Sequence, residues 1–434
     1  MYDICVIGLG YVGLPTACAF ASSGFKTIGV DIRPDIVEKV NMGISYIPEN
    51  ELAAKVKEVV ADGRLEATTD LSMAVKSSRT VIIAVQTPIE HGKIQLGYLL
   101  KACSSVANSL MQGTLVVIES TVPPGTTSNI VKPVFEEKGF RDGESYYLSY
   151  CPERIAPGNS LHEFLNNDRI IGFNNRISGE KALSVFRKVT KGKLHTTDII
   201  TAETVKLVEN TARDVYIAFA NELTKICSNI GIDTWEVIRL ANTHPRVKIL
   251  SPGPGVGGPC LTKDPYMLLQ YRKGESANIQ SLIVCARSVN ENMYKDVLKL
   301  FYSYMPKDNS NRKIAVLGTA YKPDVADPRH SPSEMVIREL LEGGYEVYTF
   351  DPLCEESFGA KSAKSLEEAI DKAACCIIMV RHSSFMSYEP DDILSRMSNN
   401  AFVVDACGIF SGRNVDSKDN KVIMLGGKSA HGII

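Results

Sequence analysis

Tyr2-Asp3-Ile4-Cys5-Val6-Ile7-Gly8-Leu9-Gly10-Tyr11-Val12-Gly13 opens the chain and decides its fold. A short apolar strand over residues 3–8 runs directly into three spaced glycines, and the glycines open a helix over residues 12–23. A second strand follows from Lys26 to Asp31, completing a strand-helix-strand unit. Each glycine has a separate task in that context. Gly8 permits the tight turn, Gly10 lets backbone approach a pyrophosphate, and Gly13 lets helix pack closely on strand. Tyr11 and Val12 complete the turn, and the helix N-terminus supplies free N–H groups and a partial positive charge to the phosphates. Asp31, closing the second strand, can accept the ribose hydroxyls of NAD and would repel the 2′-phosphate of NADP. NAD is therefore the expected cofactor, with Arg33 nearby as the feature that would favour NADP.

Working outward, further apolar strands are expected at Thr80–Val85, Leu115–Glu119 and Tyr147–Tyr150, alternating with helices as in a doubly wound parallel sheet. From Thr201 to Asn229 the apolar positions recur at helical spacing without Gly or Pro, which predicts one helix of about 40 Å at ~1.5 Å per residue. Helices over Thr234–Asn242 and from roughly Glu275 to Tyr304 make the middle of the chain helical, a bridge between two domains. The polar segment Pro306-Lys307-Asp308-Asn309-Ser310-Asn311 reads as a linker. Beyond it, Lys313 to Gly318 repeats the strand-to-glycine pattern, with strands at Glu346–Phe350, Cys376–Val380, Ala401–Val404 and Val422–Leu425. The expected fold class is α/β: two Rossmann-like doubly wound domains, 1–198 and 311–434, joined by a central helical domain, 199–305, with one long helix. The second turn, Gly318-Thr319-Ala320, lacks the remaining glycines. A different nucleotide, and not a second dinucleotide, is expected there.

Composition narrows the function. The chain has 434 residues, 44% hydrophobic and 23% charged, too many for one core. A net charge of −2 gives no basic field for nucleic acid or anionic membrane. No basic leader precedes the first strand, and no run of about eighteen apolar residues occurs. A cytoplasmic protein with a small-molecule substrate is expected. The eleven cysteines include no C-x-x-C pair and mostly lie in apolar segments, as Cys5, Cys18, Cys227, Cys375 and Cys376 do. The seven histidines show no metal-ligand spacing, so no metal is expected.

The chemistry concentrates where Ser251-Pro252-Gly253-Pro254-Gly255-Val256-Gly257-Gly258-Pro259 delivers Cys260, followed by Leu261-Thr262-Lys263-Asp264. A loop so dense in glycine can bring backbone N–H groups against a ligand. If a helix begins at Cys260, its N-terminus lowers the thiol pKa and Asp264 lies one turn on, on the same face. The alternative is one more buried thiol. Lys206 and Asn210, four apart on the long helix, point from one face, where a cation and an amide can share an oxyanion; a solvated surface pair is the alternative. Glu153, after Cys151-Pro152 at a strand end, is placed to act as acid or base through water; a helix-cap or surface role is the alternative. Thr87 and Thr121 stand at strand C-termini, where ligands of open α/β sheets collect.

Together these pieces resemble the UDP-glucose/GDP-mannose dehydrogenase family over nearly the whole chain. The stretches that carry the resemblance are Gly8 to Pro15, Glu119 to Thr127, Cys151 to Arg154, Val205 to Thr211, Gly257 to Asp264 and Tyr321 to Arg329. The resemblance implies oxidation of the C6 hydroxymethyl of a nucleotide sugar to a carboxylate, with two NAD used in turn. Cys260 would hold the intermediate aldehyde as a thiohemiacetal and then a thioester. Lys206 and Asn210 would hold the C6 oxygen, Asp264 would assist water or keep Lys206 charged, and Thr121 and Glu153 would position water and substrate. It also implies cofactor contacts at Thr87, Thr121, Lys263 and Arg329, and substrate contacts at Arg154, Gly257, Tyr321 and Lys322. Arg246 resembles an arginine inserted into a neighbouring subunit's substrate site, which implies a homodimer on the long helix. Within the family, Cys151 to Gly158, Asn167 to Gly172, Arg213 to Glu222 and Arg239 to Arg246 are similar to the branch acting on UDP-N-acetylmannosamine. The UDP-N-acetylglucosamine branch is close behind. Pro157 and Ala406-Cys407 depart from the UDP-glucose branch, and Pro259 departs from the histidine common in bacterial N-acetylmannosamine enzymes. The rival readings are a two-electron hydroxyacid dehydrogenase, which needs no Cys260, and a non-catalytic nucleotide-sugar sensor.

Overall fold

A computed structural model describes residues 1–90, 93–271, 281–306, 310–413 and 421–428. Contacts within the chain divide it into two compact units, Met1–Glu209 with Tyr266–Tyr271, and Asn210–Pro265 with Arg272–Ile434. Residues from the middle of the sequence thus group with the C-terminal unit: the Trp235 indole N–H donates to the Leu425 carbonyl, and Thr234 N–H donates to Gly426.

The first unit contains strands β1 (Tyr2–Ile7), β2 (Thr27–Val30), β3 (Leu65–Thr68) and β4 (Ser78–Ile83). After the hairpin β5 (Ile89–Glu90) and β6 (Lys93–Ile94) come β7 (Leu115–Ile118), β8 (Tyr147–Tyr150), β9 (Arg169–Gly172) and β10 (Leu194–Thr197). The hairpin apart, they form one sheet in the order β10-β9-β8-β7-β4-β1-β2-β3. All its pairings are parallel except the single Tyr150–Gly172 pair between β8 and β9. Alternate side chains of β1 supply two cores: Ile4 and Val6 pack with Leu14 and Phe20, while Cys5 and Ile7 pack with Val81 and Leu99 on the other face. Burial on both faces is why these strands are continuous apolar runs.

The second unit repeats the device with β11 (Lys313–Leu317), β12 (Glu346–Phe350), β13 (Lys361–Ser362), β14 (Cys375–Ile378), β15 (Phe402–Asp405) and β16 (Val422–Met424). All are parallel in the order β13-β12-β11-β14-β15-β16. Ile314 and Val316 face one core, Ala315 and Leu317 the other. The long helix is unbroken from Ile199 to Ile230, and shorter helices cover Thr234–Ala241, Asp264–Leu269 and Leu282–Tyr304. The expected helix start near Glu275 and linker residues 307–309 lie outside the described residues. Strands β3, β9, β10 and β13, absent from the sequence reading, are four residues long or shorter, and half of β3, three of the four residues of β10 and both residues of β13 are polar. Among the described residues, no helix is long and apolar enough to cross a membrane.

Candidate active site

In the first unit the strand order reverses between β1 and β4, and the loops from this crevice carry the expected cofactor residues. Gly8 has φ +88°, a left-handed conformation that favours glycine, and a Cβ there would meet the Ala84 carbonyl at 2.8 Å. A Cβ on Gly13 would lie 1.7 Å from the Gly8 carbonyl, so this glycine is required by packing. Gly10 is exposed, and a Cβ there meets nothing within 4 Å, so its backbone borders open space. Asp31 braces the turn, accepting Leu9 N–H on Oδ2 at 2.9 Å and Arg33 N–H on Oδ1 at 3.0 Å. The Arg33 guanidinium, the feature that would have favoured NADP, is paired with Asp35. The Thr87 hydroxyl donates to the Thr121 carbonyl at 2.6 Å, tying together two strand-end loops. An open glycine backbone, a helix N-terminus and a carboxylate at the end of β2 fit NAD.

A buried charged cluster stands beside these loops, again within the first unit. Glu153 and Lys206 are both buried, with Nζ 3.8 Å from Oε2. Burial pushes the Glu153 carboxyl above the ordinary carboxylate range, while Lys206 and Arg169 pull it back. Among the described residues, Glu153 Oε1 has no hydrogen-bond partner. The surface alternatives for Glu153 and Lys206 are excluded by this burial. Arg154, expected at the substrate, is paired with Glu209 at 2.6 Å and donates to the Asp168 carbonyl at 2.6 Å. Glu203, one turn before Lys206, accepts the N–H groups of Gly125 and Thr127 and so anchors the loop after Thr121 to the long helix. Its carboxyl is pushed up to about 7 by burial, against the pull of those hydrogen bonds.

The second unit holds the cysteine loop. Cys260 is exposed, and it is the one exposed thiol of the eleven. The helix expected to begin there begins at Asp264, because residues 260–263 form a turn. Even so, Asp264 N–H donates to the Cys260 carbonyl at 2.9 Å, preserving the one-turn spacing. Asp264 is fully buried; Lys263 Nζ lies 2.7 Å from Oδ1, and Asn210 Nδ2 donates to Oδ2 at 2.6 Å. Lys263, expected at the cofactor, is paired with Asp264. One of the two amide hydrogens of Asn210 is spent on Asp264, leaving the other to donate to a ligand oxygen. Gly257 and Gly258 are needed for packing: Cβ atoms there would meet the His330 carbonyl at 2.4 Å and the Tyr321 ring at 2.6 Å. Gly258 N–H also donates to the Arg329 carbonyl, which seats the loop on the Tyr321–His330 segment. Arg329 itself pairs with Asp327 at 2.6 Å; Lys322 is half-buried and Arg246 exposed.

Sequence reasoning missed the support behind this loop. Arg287 Nη1 donates to Asp214 Oδ1 at 2.7 Å and to the Leu261 carbonyl at 3.3 Å. Asn290 donates to the Asp214 carbonyl and carboxylate, Asn221 donates to Asn290, and Gly253 N–H donates to Asn221. Both ends of the glycine loop therefore hang on one buried network. These residues resemble ordinary helix polarity in sequence, and their partners lie 26 to 76 residues away.

The glycine turn of the second unit differs from the first. Asp351, at the end of β12, spends Oδ2 on Thr319 and Ala320 N–H and Oδ1 on Leu353 and Cys354 N–H. Buried His382 adds Nε2 at 3.0 Å; burial works to raise the Asp351 carboxyl, and the hydrogen bonds from His382 and the backbone N–H groups outweigh it and hold the carboxyl low. That carboxylate is committed to the protein.

Three family models match the chain. Residues 2–190 match the NAD binding domain of the UDP-glucose/GDP-mannose dehydrogenase family, 200–292 its central domain, and 315–412 its UDP binding domain. A Pyrococcus horikoshii protein named UDP-N-acetyl-D-mannosamine dehydrogenase is 40% identical over 95% of both chains. A Methanocaldococcus jannaschii protein of the same name is 39% identical over 98% of this chain and 97% of its own. The solved Pyrococcus horikoshii UDP-D-ManNAc dehydrogenase superposes with TM-score 0.89 at 39% identity, covering 98% and 99% of the two chains. A UDP-glucose dehydrogenase from Pyrobaculum islandicum gives TM-score 0.86 at 27% identity over 99% and 98%.

Proposed function

The chain belongs to the UDP-glucose/GDP-mannose dehydrogenase family, and from that membership and the Cys260 loop we propose that it oxidises UDP-N-acetyl-D-mannosamine at C6 to the uronate. The observation that carries the mechanism is an exposed thiol presented by a glycine loop, one backbone hydrogen bond from a buried carboxylate that an amide and an ammonium hold in place. The fold does not choose the sugar, because relatives named for glucose and for N-acetylmannosamine superpose almost equally well. The choice rests on identity: about 40% to chains named for N-acetylmannosamine against 27% for the glucose enzyme.

NAD, when bound, would supply the hydride acceptor for two successive oxidations at C6. Cys260 attacks the aldehyde left by the first, so that it is held as a thiohemiacetal and cannot escape during cofactor exchange. The second oxidation leaves a thioester, which water opens to the carboxylate and free thiol. Lys206 and the unspent amide hydrogen of Asn210 stabilise negative charge on the C6 oxygen. Glu153, through the oxygen that has no partner among the described residues, takes the hydroxyl proton or orders the water, a task it shares with Thr121. Asp264 fixes the Asn210 amide. Thr87, Lys263 and Arg329 serve the cofactor side; Arg154, Gly257, Tyr321 and Lys322 serve the nucleotide sugar.

The protein works as a homodimer in this reading, with Arg246 entering the neighbouring site. Tyr216, Phe219, Ile226 and Ile230 support it: all four are exposed on the long helix and fall within one apolar stripe at helical spacing. The test of the chemistry is stoichiometry. Purified protein with excess NAD and UDP-N-acetylmannosamine should give two NADH per uronate, and Cys260→Ala should stop uronate formation while NAD still binds. One NADH with a stable aldehyde, or an active alanine variant, overturns the covalent route. Faster turnover of UDP-glucose or UDP-N-acetylglucosamine overturns the sugar assignment.

A further inference from the structure

Glu49 stands at the start of helix Asn50–Ala61, in the segment that leads away from Asp31, and it is 8% exposed. It makes no side-chain cap bond to its own helix. Its carboxylate instead reaches the segment that follows Glu153. Gly158 N–H donates to Oε1 at 2.7 Å, and Ser160 donates to Oε2 through its N–H at 2.9 Å and through its hydroxyl at 2.5 Å. These bonds join residues 109 and 111 positions apart, within the first unit. Asn159, the residue placed to cap helix Ser160–Asn166, makes no side-chain cap bond either.

Glu49 completes a set of ties that runs the length of this segment. Glu153 is buried beside Lys206, and Arg154 is paired with Glu209 while its carbonyl accepts from Asn167 Nδ2 at 3.1 Å. Ile155 leans on the core that contains Phe164, Ala156 N–H donates to Glu163 Oε2 at 2.7 Å, and Gly158 turns with φ +98°. A local cap at Asn159 would finish helix Ser160–Asn166 equally well and would not fix where the preceding loop stands. A carboxylate from a distant part of the sequence does fix it, because helices Asn50–Ala61 and Ser160–Asn166 pack in one core through Leu52, Val56, Leu161 and Phe164. A carboxylate has two acceptor oxygens, and here both are used on donors of one loop.

We propose that Glu49 is a positioning residue for the sugar-nucleotide side of the reaction: by holding Gly158 and Ser160 it fixes the loop from Glu153 to Ser160, and through that loop the Glu153 carboxylate and the Arg154 guanidinium. The proposal rests on the dehydrogenase reading for the roles of those two residues. Glu49 acts through the loop and not on the reacting atoms. The cofactor side has its own supports, since Asp31 braces the glycine turn through the N–H groups of Leu9 and Arg33. Disturbing Glu49 therefore separates the two ligands: the nucleotide sugar feels the loop, and NAD does not. A purely structural role would lower the amount of folded enzyme and leave both binding constants where they are.

The test uses the isosteric variant Glu49→Gln, which keeps one acceptor oxygen and turns an amide N–H group toward donors that the other oxygen now accepts. Exchange of backbone amide hydrogens over residues 153–160 of the ligand-free protein should quicken in this variant, while exchange over residues 2–13 stays as in wild type. With saturating NAD, KM for UDP-N-acetylmannosamine should rise at least ~5-fold, with the NAD dissociation constant within about twofold of wild type. Unchanged exchange over 153–160, or a KM that does not move, overturns the proposal; so does a loss of NAD affinity as large as the rise in KM. If Glu49→Gln does not fold, Ser160→Ala decides, because it removes only the hydroxyl donor. It should raise KM for the sugar nucleotide by about twofold or more with NAD binding unchanged, and an unchanged KM overturns the proposal. Wild-type protein inert toward every nucleotide sugar tried would sink the dehydrogenase reading alone, because the exchange arm needs no substrate.

Discussion

Removing Arg287 should loosen the cysteine loop and destabilise the second unit in a pH-dependent way. Arg287 is 2% exposed and Asp214 is fully buried. Among the described residues, the Asp214 carboxylate keeps only its hydrogen bond from Asn290 in Arg287→Ala, because Oδ2 has no partner there even before the substitution. Breaking a buried pair from one side costs ~3–5 kcal/mol, since an uncompensated charge is left behind. The sign of the pH dependence follows from Asp214. Burial already holds its carboxyl above the ordinary range despite Arg287, and deleting the cation drives it higher. A carboxyl whose folded value exceeds its unfolded one binds its proton more tightly when folded, so stability rises as pH falls toward and below that folded value. Denaturant unfolding should therefore show the full loss at pH 8 and a loss at least ~1 kcal/mol smaller at pH 5, as the stranded carboxylate takes up a proton. Adding Asp214→Asn should recover part of the pH 8 loss. Turnover should fall as well, by up to ~100-fold, because the carbonyl of Leu261, next to the nucleophile, loses its donor. A loss below ~1 kcal/mol that is the same at both pH values would refute the reasoning.

Two glycines separate packing from ligand approach. Gly13→Ala puts a Cβ 1.7 Å from the Gly8 carbonyl, so both the unfolding midpoint and NAD affinity should drop; Gly10→Ala meets only open space, so it should fold normally and lose NAD affinity by at least ~10-fold, about 1.4 kcal/mol. Calorimetric NAD binding beside a thermal melt checks both, and a Gly10→Ala protein that binds normally would remove the pyrophosphate role. Phe219→Glu, in the exposed stripe of the long helix, should turn a sedimenting dimer into a monomer; a wild-type monomer would end the dimer reading.

The legible parts share one property: their information is local. The turn from Gly8 to Gly13, the uninterrupted helix and the loop around Cys260 each announce themselves within a dozen residues, through glycine spacing or apolar period. The strand β1 could be assigned from four residues because burial on both faces demands a continuous apolar run. Short polar strands such as β10, Leu194–Thr197, carry no such signal; its pairing with β9 makes it a strand.

Buried charge obeys the opposite rule. Glu119, Arg169, Glu203, Asp214 and Arg287 look like surface residues in sequence, because a carboxylate is spelled the same whether water or an arginine satisfies it. Thr16 reaches Glu119 across 103 positions, and Asp214 reaches Arg287 across 73. No periodicity records such a partner. Even where the reading put the right residue in the right loop, the local detail was off: the helix expected at Cys260 starts at Asp264. The spacing of the motif is kept by a single turn whose backbone hydrogen bond joins the two. The helix start could therefore slip by four residues without separating thiol from carboxylate. What the motif specifies here is the one-turn distance between Cys260 and Asp264, and a helix is only one of the ways a chain can hold it.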